Sequence, residues 1–145
     1  MFKTFESTIT DDFSDLKTLN NDVRTFLISL ESSQKIVYKV NLILEEMITN
    51  IIKYGYLDNE PHKISVEIKI DNEYAYLTII DDANEFDSEN YNNPNIDIPL
   101  EKMKIGGLGI FLIKSISEHF KYKREDCKNF LNIKLKNDSR DSFSS

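Results

Sequence analysis

The chain has 145 residues, 40% of them hydrophobic, with 18 Lys and Arg against 25 Asp and Glu, a formal net charge of −7. That apolar content suits one core in one globular domain, and the acidic balance disfavours a nucleic-acid partner, whose phosphates call for lysine and arginine. No run reaches the roughly 18 apolar residues of a membrane span and residues 1–10 lack an apolar signal core, so a cytoplasmic chain with no membrane contact is expected.

Residues 2–7 read as a short strand. Thr10, Asp11 and Asp12 then supply helix-start chemistry, because short polar side chains accept from the unpaired N–H groups of a first turn. An amphipathic helix is expected from there to about residue 30. A second helix is expected over 33–54, with Val37, Val40, Leu44, Met47, Ile48 and Ile51 as its apolar stripe. In residues 62–70, Ile64, Val66, Ile68 and Ile70 alternate with polar neighbours; Asp71 and Asn72 supply a turn, and 74–80 form the return strand of a hairpin. Further strands are expected at 121–125 and 130–135, then a polar, frayed tail over 137–145. This gives a single domain at 1–136 with no visible repeat. Cys127 stands alone and allows no internal disulfide, and with only His62 and His119 beside it no zinc cluster is expected; it reads as a small buried residue.

Residues 82–105, DANEFDSENYNNPNIDIPLEKMKI, show no sustained period and are rich in asparagine, with Pro94 and Pro99. So long an irregular stretch inside a compact domain reads as a functional lid or a disordered loop. It runs into Gly106, Gly107, Leu108 and Gly109, which include three of the chain's four glycines. Glycine is costly to order and tolerates close backbone approach. Ile110, Phe111, Ile113, Ile116 and Phe120 follow at helical spacing, so the cluster stands where a loop enters a helix, a place suited to anions. Alone the signal is weak. The P-loop pattern is absent because Ile110 and Phe111 follow Gly109, and Leu112 stands where a dinucleotide fingerprint needs its third glycine.

Glu46 and Asn50, four residues apart, share a helix face beside the apolar stripe. Such a pair is ordinarily just solvated. Its functional reading is specific: the Asn amide oxygen suits Mg²⁺, and a Glu one turn earlier can take a proton from an attacking hydroxyl, provided a phosphate lies nearby. Asp81 and Asp82 close the strand at 74–80, where a carboxylate either accepts from an exocyclic amine or simply makes a turn.

In this order the three pieces resemble the GHKL ATPase superfamily, with its Bergerat or histidine-kinase-like ATPase fold, and within it the small serine kinases that act as bacterial anti-sigma factors. Glu46-x-x-x-Asn50 is similar to the N box, Asp81-Asp82-x-x-x-Phe86-Asp87 to the G1 box and Gly106-Gly107-Leu108-Gly109 to the G2 box, and the resemblance covers nearly the whole chain. It implies an α/β (α+β) two-layer sandwich, a mixed and mostly antiparallel sheet with helices on one face. One-striped helices and alternating strands ask for the same shared core.

The resemblance also implies ATP or ADP with Mg²⁺, lying between the second helix, the hairpin end and the lid. Asn50 would hold Mg²⁺, Glu46 would be the general base, and Asp81 would meet the adenine amino group with Phe86 in the same pocket. The backbone of Gly106, Gly107, Leu108 and Gly109 would wrap the phosphates, with Lys102 or Lys104 reaching them. The implied activity is serine/threonine-protein kinase action on an anti-sigma factor antagonist, with a sigma factor sequestered by the same domain and a homodimer suggested by relatives. Ala83 and Glu85 stand where many relatives have glycines, and Asn129 stands where they have Gly-Thr. Other readings share the fold. An excised sensor histidine kinase domain commonly carries Asn in place of Glu46, because an imidazole nucleophile needs less deprotonation. An ATPase of the wider superfamily usually brings further domains. A non-catalytic module would bind nucleotide only to shape a protein interface.

Overall fold

Side chains alternate sides along a strand, so a strand with every second residue apolar must bury one face. Five strands are present, β1 Lys3–Thr10, β2 Lys63–Ile70, β3 Tyr74–Asp81, β4 His119–Glu125 and β5 Lys128–Lys136, and β2, β3 and β5 bury every second residue. They form one sheet in the order β1-β2-β3-β5-β4, and all four pairings are antiparallel. The helices are α1 Phe13–Ser29, α2 Gln34–Asn50 and α3 Gly107–Ile116. Leu19, Leu27, Ile43, Leu44, Ile48 and Ile113 from the helices join Ile64, Ile68, Leu77, Ile79 and Ile133 from the strands in one buried cluster, giving the α+β arrangement expected of helices packed on a sheet. This computed structural model describes residues 1–56, 58, 60–86 and 107–137. Residues 87–105 of the expected lid, which include Lys102 and Lys104, lie outside the described residues, as do Gly106 and residues 138–145 of the expected tail. Among the described residues no helix is long and apolar enough to cross a membrane.

The helix starts follow the caps. Asp12 accepts from Ser14 N at 2.7 Å and Ser33 from Ile36 N at 3.3 Å, each a contact worth about 1 kcal/mol in typical helices. At its other end α2 passes into a single π-helical turn, Ile51–Gly55, so the helix expected over 33–54 is present in two forms. The first strand runs three residues past the expected end at Ser7, pairing with β2 up to Thr10↔Lys63. Asp15 closes it, accepting from Thr10 N at 3.0 Å and from its hydroxyl at 2.8 Å.

Two expectations fail for nonlocal reasons. Phe120, placed on the helix that follows the glycines, lies in β4. Glu118 N donates to Lys134 O at 2.8 Å and Ser117 Oγ to Ile113 O at 2.6 Å, so sheet pairing captures the chain after Ile116, and Phe120 reaches the core from a strand. Cys127 is exposed, not buried. The β4–β5 register, with Glu125 opposite Lys128, leaves Asp126 and Cys127 as a two-residue turn with φ of 52° and 62°, the positive angles that such hairpins demand. Asn137, read as the start of the tail, is tied to the β2–β3 turn: its N–H donates to Glu73 O at 2.8 Å and its Nδ2 to Asp71 O at 2.6 Å.

The connection from the π-helical turn to β2 is closed by a histidine. His62 stacks on Tyr56, with centroids 3.8 Å apart, and its Nδ1 lies 3.1 Å from Asp82 Oδ1 while Nε2 meets Asp58. The Asp58 hydrogen bond is the largest cause raising the His62 pKa, Asp82 adds to it, and desolvation opposes.

Two outcomes test these local arrangements. Replacing Cys127 by Gly removes the steric cost of a left-handed residue, about 1 kcal/mol, and should raise the urea midpoint without changing the slope. A group held above its unfolded pKa contributes its full stability below about pH 6.5 and loses it as pH rises through the folded value. His62→Gln should therefore lower the melting temperature most near pH 6, with the gap to the wild type narrowing toward pH 9.

Candidate functional site

The inward residues of β3 are Ala75, Leu77 and Ile79, and the next inward position is Asp81, only 5% exposed. Burial pushes its pKa up, and Asp82 adds to that. Hydrogen bonds from Asn129 and Ala83 and the positive charge of Arg124 oppose the rise. Asn129 stands opposite Asp81 in the β3–β5 register. Its Nδ2 donates to Asp81 Oδ1 at 2.9 Å, and Ala83 N donates to the same oxygen at 2.9 Å.

Asn129 is itself 6% exposed and anchored on every side. Its Nδ2 also reaches Asn84 O at 3.0 Å and Ala83 O at 3.3 Å, while its Oδ1 accepts from Tyr122 Oη at 2.7 Å and Arg124 Nη1 at 3.0 Å. Arg124 Nη1 donates to Ala83 O as well, at 2.8 Å. Arginine has no acceptor, so the amide orientation is fixed: oxygen toward β4, nitrogen toward Asp81.

Above Asp81 opens a cavity of about 220 Å³ with Met47, Ile51, Ile110 and Leu131 among its apolar lining. Asn50 from α2, Asp81 from β3 and Phe86 from the chain after β3 all line it, so three residues singled out in the sequence converge there. Phe86 is 49% exposed. The chain's fourth glycine, Gly55, also lines the cavity, and its carbonyl accepts from Asn84 N at 2.9 Å. A Cβ at Gly55 would fall 2.7 Å from that of Ala83. The Ala83 methyl thus occupies space that Gly55 leaves open.

Glu46, half-buried, lies one turn before Asn50 on α2 and outside the cavity lining. It meets the first turn of α3: a Cβ on Gly109 would fall 2.5 Å from Glu46 Oε2. The absence of a side chain at Gly109 is what lets the carboxylate sit against the start of that helix. Gly107 and Leu108 open α3. The structure therefore sets Glu46 and Gly109 together and Asn50 and Asp81 on one cavity, while Lys104 and Gly106 lie outside the described residues. Sequence reasoning missed Tyr122, Arg124 and Gly55 and left Asn129 without a role. Arg124 and Asn129 reach Ala83 and Asp81 more than forty residues away, and Gly55 meets Asn84 across the fold, so no local pattern announces the cluster that Tyr122 completes.

Residues 9–135 match the histidine kinase-like ATPase domain family. The chain is 27% identical over 97 residues to the serine-protein kinase RsbW of Oceanobacillus iheyensis, covering 64% of this chain and 61% of that protein. It is 28% identical over 93 residues to the serine-protein kinases RsbW of Listeria monocytogenes serovar 1/2a and of Listeria innocua, covering 61% of this chain and 59% of each. The chain thus spans about six-tenths of the length of these curated relatives. Because the family match takes in α2, the Asp81 end of β3, α3 and most of β5 together, the chain belongs to the histidine kinase-like ATPase domain family.

Proposed function

We propose that this chain binds ATP and acts as a serine-protein kinase of the anti-sigma type, transferring phosphate to a serine on an anti-sigma factor antagonist. The observation that carries the reading is the buried Asp81 carboxylate beneath an apolar cavity that Asn50 shares. Apolar walls with one fixed acceptor suit a flat heterocycle bearing an exocyclic amine. Both donors to Asp81 among the described residues act on Oδ1, which leaves Oδ2 to accept from that amine. The similarity to proteins named serine-protein kinase RsbW supports the protein substrate. The sigma factor, a homodimer and a cytoplasmic setting belong to the same proposal.

Beyond the base, the chain of residues follows the expected polarity. N–H groups in the first turn of α3 have no intrahelical acceptor and favour an anion. Glu46, seated against that turn, would take the proton from the incoming serine hydroxyl as its oxygen attacks the terminal phosphorus, the bond to the leaving diphosphate breaking as the new one forms. Among the described residues no group of three or more His, Cys, Asp or Glu converges on a metal position. A site with one neutral oxygen donor, the Asn50 amide, fits a Mg²⁺ ion that arrives on phosphates better than a resident metal. Bound with the nucleotide, Mg²⁺ would neutralise phosphate charge there.

Millimolar Mg²⁺-ADP should raise the melting temperature with the logarithm of its concentration, and the absence of any shift, with no heat of binding, counts against the nucleotide reading. Glu46→Gln should retain ADP affinity within a few-fold and lose about 10² or more in phosphotransfer. A wild-type rate in that variant would leave a nucleotide-binding interaction module as the better account. Gly109→Ala tests the Glu46 position without touching its chemistry. The colliding atom is the far end of a flexible side chain, so the fold should survive with little change in melting temperature. The displaced carboxylate should lower phosphotransfer toward the Glu46→Gln level.

A further inference from the structure

We propose that Asn129, locked by Arg124 and Tyr122, is the positioning residue that sets base specificity in this cavity, by holding Asp81 as a pure acceptor toward the ligand. The proposal rests on the nucleotide reading above and goes beyond it, because it assigns the choice between amino and keto bases to a side chain that does not touch the base.

A count of hydrogen bonds carries the argument. An asparagine amide offers two N–H donors and two lone pairs. The lone pairs of Asn129 Oδ1 are taken by Tyr122 Oη and Arg124 Nη1, and the N–H groups are taken by Asp81 Oδ1 and the carbonyls of the 83–84 turn. Nothing is left over for a ligand. Asn129 lines the cavity yet can read no ring nitrogen or keto oxygen directly, so any influence it has on the ligand must pass through Asp81.

That influence has a definite direction. The hydrogen bond from Nδ2 favours the ionised form of Asp81, against a burial that favours the neutral form. An ionised Asp81 can only accept, which suits an exocyclic amine and repels a keto oxygen. A protonated Asp81 can donate, and a keto base becomes acceptable. The other charged and titratable groups around it are Asp82 in the following turn, which works with burial, and Arg124 on β4, which works against it. Tyr56, after the π-helical turn, has its phenol kept neutral by burial and by Asp81 and Asp82. Asp82 in turn faces His62, and Glu85 faces Tyr122. A purely structural Asn129, pinning β5 to the 83–84 turn, would change stability but not which base is preferred at which pH.

Calorimetric titration with ADP and IDP, which differ in carrying adenine or the 6-keto base hypoxanthine, distinguishes the two, run from about pH 5.5 to about pH 8.5. The wild type should prefer ADP by about tenfold or more at the alkaline end, the scale of one charged hydrogen bond, and should hold that preference to lower pH than Asn129→Ala does. Asn129→Ala should keep its preference at the alkaline end and lose most of it at the acid end. Asn129→Ser, which restores a donor, should recover the preference at least in part. Arg124 is an exposed residue, so Arg124→Met keeps the test available should Asn129→Ala fail to fold; it should show the same acid loss to a smaller degree. An ADP to IDP ratio that stays at the wild-type value at every pH, in Asn129→Ala or, failing that, in Arg124→Met, overturns the proposal. Wild-type protein that binds neither nucleotide defeats the underlying nucleotide reading instead.

Discussion

One buried carboxylate constrains much of this molecule. The alternation that sends Ala75, Leu77 and Ile79 into the core also sends Asp81 there, and an uncompensated ion in that position costs several kcal/mol. The compensation comes from three directions: the Ala83 N–H from the turn that follows, the Asn129 amide from β5, and the Arg124 guanidinium from β4. Each of these bonds is also a structural tie. Asn129 and Arg124 hold the carbonyls of residues 83 and 84, and Asn84 N in turn reaches Gly55 O at the end of the π-helical turn. The residues that solvate Asp81 therefore also hold the 83–84 turn, whose Asn84 N–H ties the end of β3 to the end of the α2 segment.

The second constraint is the rotation of α2 about its axis. Ile36, Val40, Ile43, Leu44, Met47 and Ile48 must all face the core, and with 3.6 residues per turn this leaves Glu46 and Asn50 together at its margin. Neither position depends on the pair itself. Where neighbouring elements come close to this helix and its π-helical extension, two glycines open the room. Gly109 admits the Glu46 carboxylate and Gly55 admits the Ala83 methyl. At both positions glycine serves close approach, so the relevant property is the missing Cβ.

What could be read from the sequence divides along the same line. Asp12 and Ser33 act within one turn of chain, the Ile64 to Ile70 alternation acts within one strand, and the Asp71 turn acts between two adjacent strands; all were legible because the forces are local. Glu46 and Asn50 were legible as a pair because helical spacing alone puts them on one face. Phe120 was misplaced because its spacing fits a helix, while the β4 pairing that claims it depends on Lys134, fourteen residues further on. Cys127 was misplaced because composition says that cysteines are buried, whereas register put this one at a hairpin tip. The role of Asn129 was invisible for a deeper reason: β3 and β5 are neighbours in the sheet but not in the chain, so the pairing of Asp81 with Asn129 exists only once the sheet is assembled.

Charge supplies the last step. A chain with a net charge of −7 repels free polyanions at long range, so under the proposed function the phosphates of a nucleotide cannot supply most of its affinity through the general field of the protein. Affinity must come from the two ends of the site separately. At the cavity, apolar lining and the Asp81 acceptor reward a base with an amine, and do so regardless of how many phosphates follow. At the other end, the Glu46 carboxylate beside the first turn of α3 is itself a negative charge next to where phosphate would lie, and among the described residues the relief comes from the helix N-terminus, joined by a cation carried in with the ligand. The arrangement separates recognition from chemistry. Under that function Asp81 and its support would decide what enters, and the carboxylate that would do the proton transfer would make the phosphate end unfavourable until its charge is neutralised.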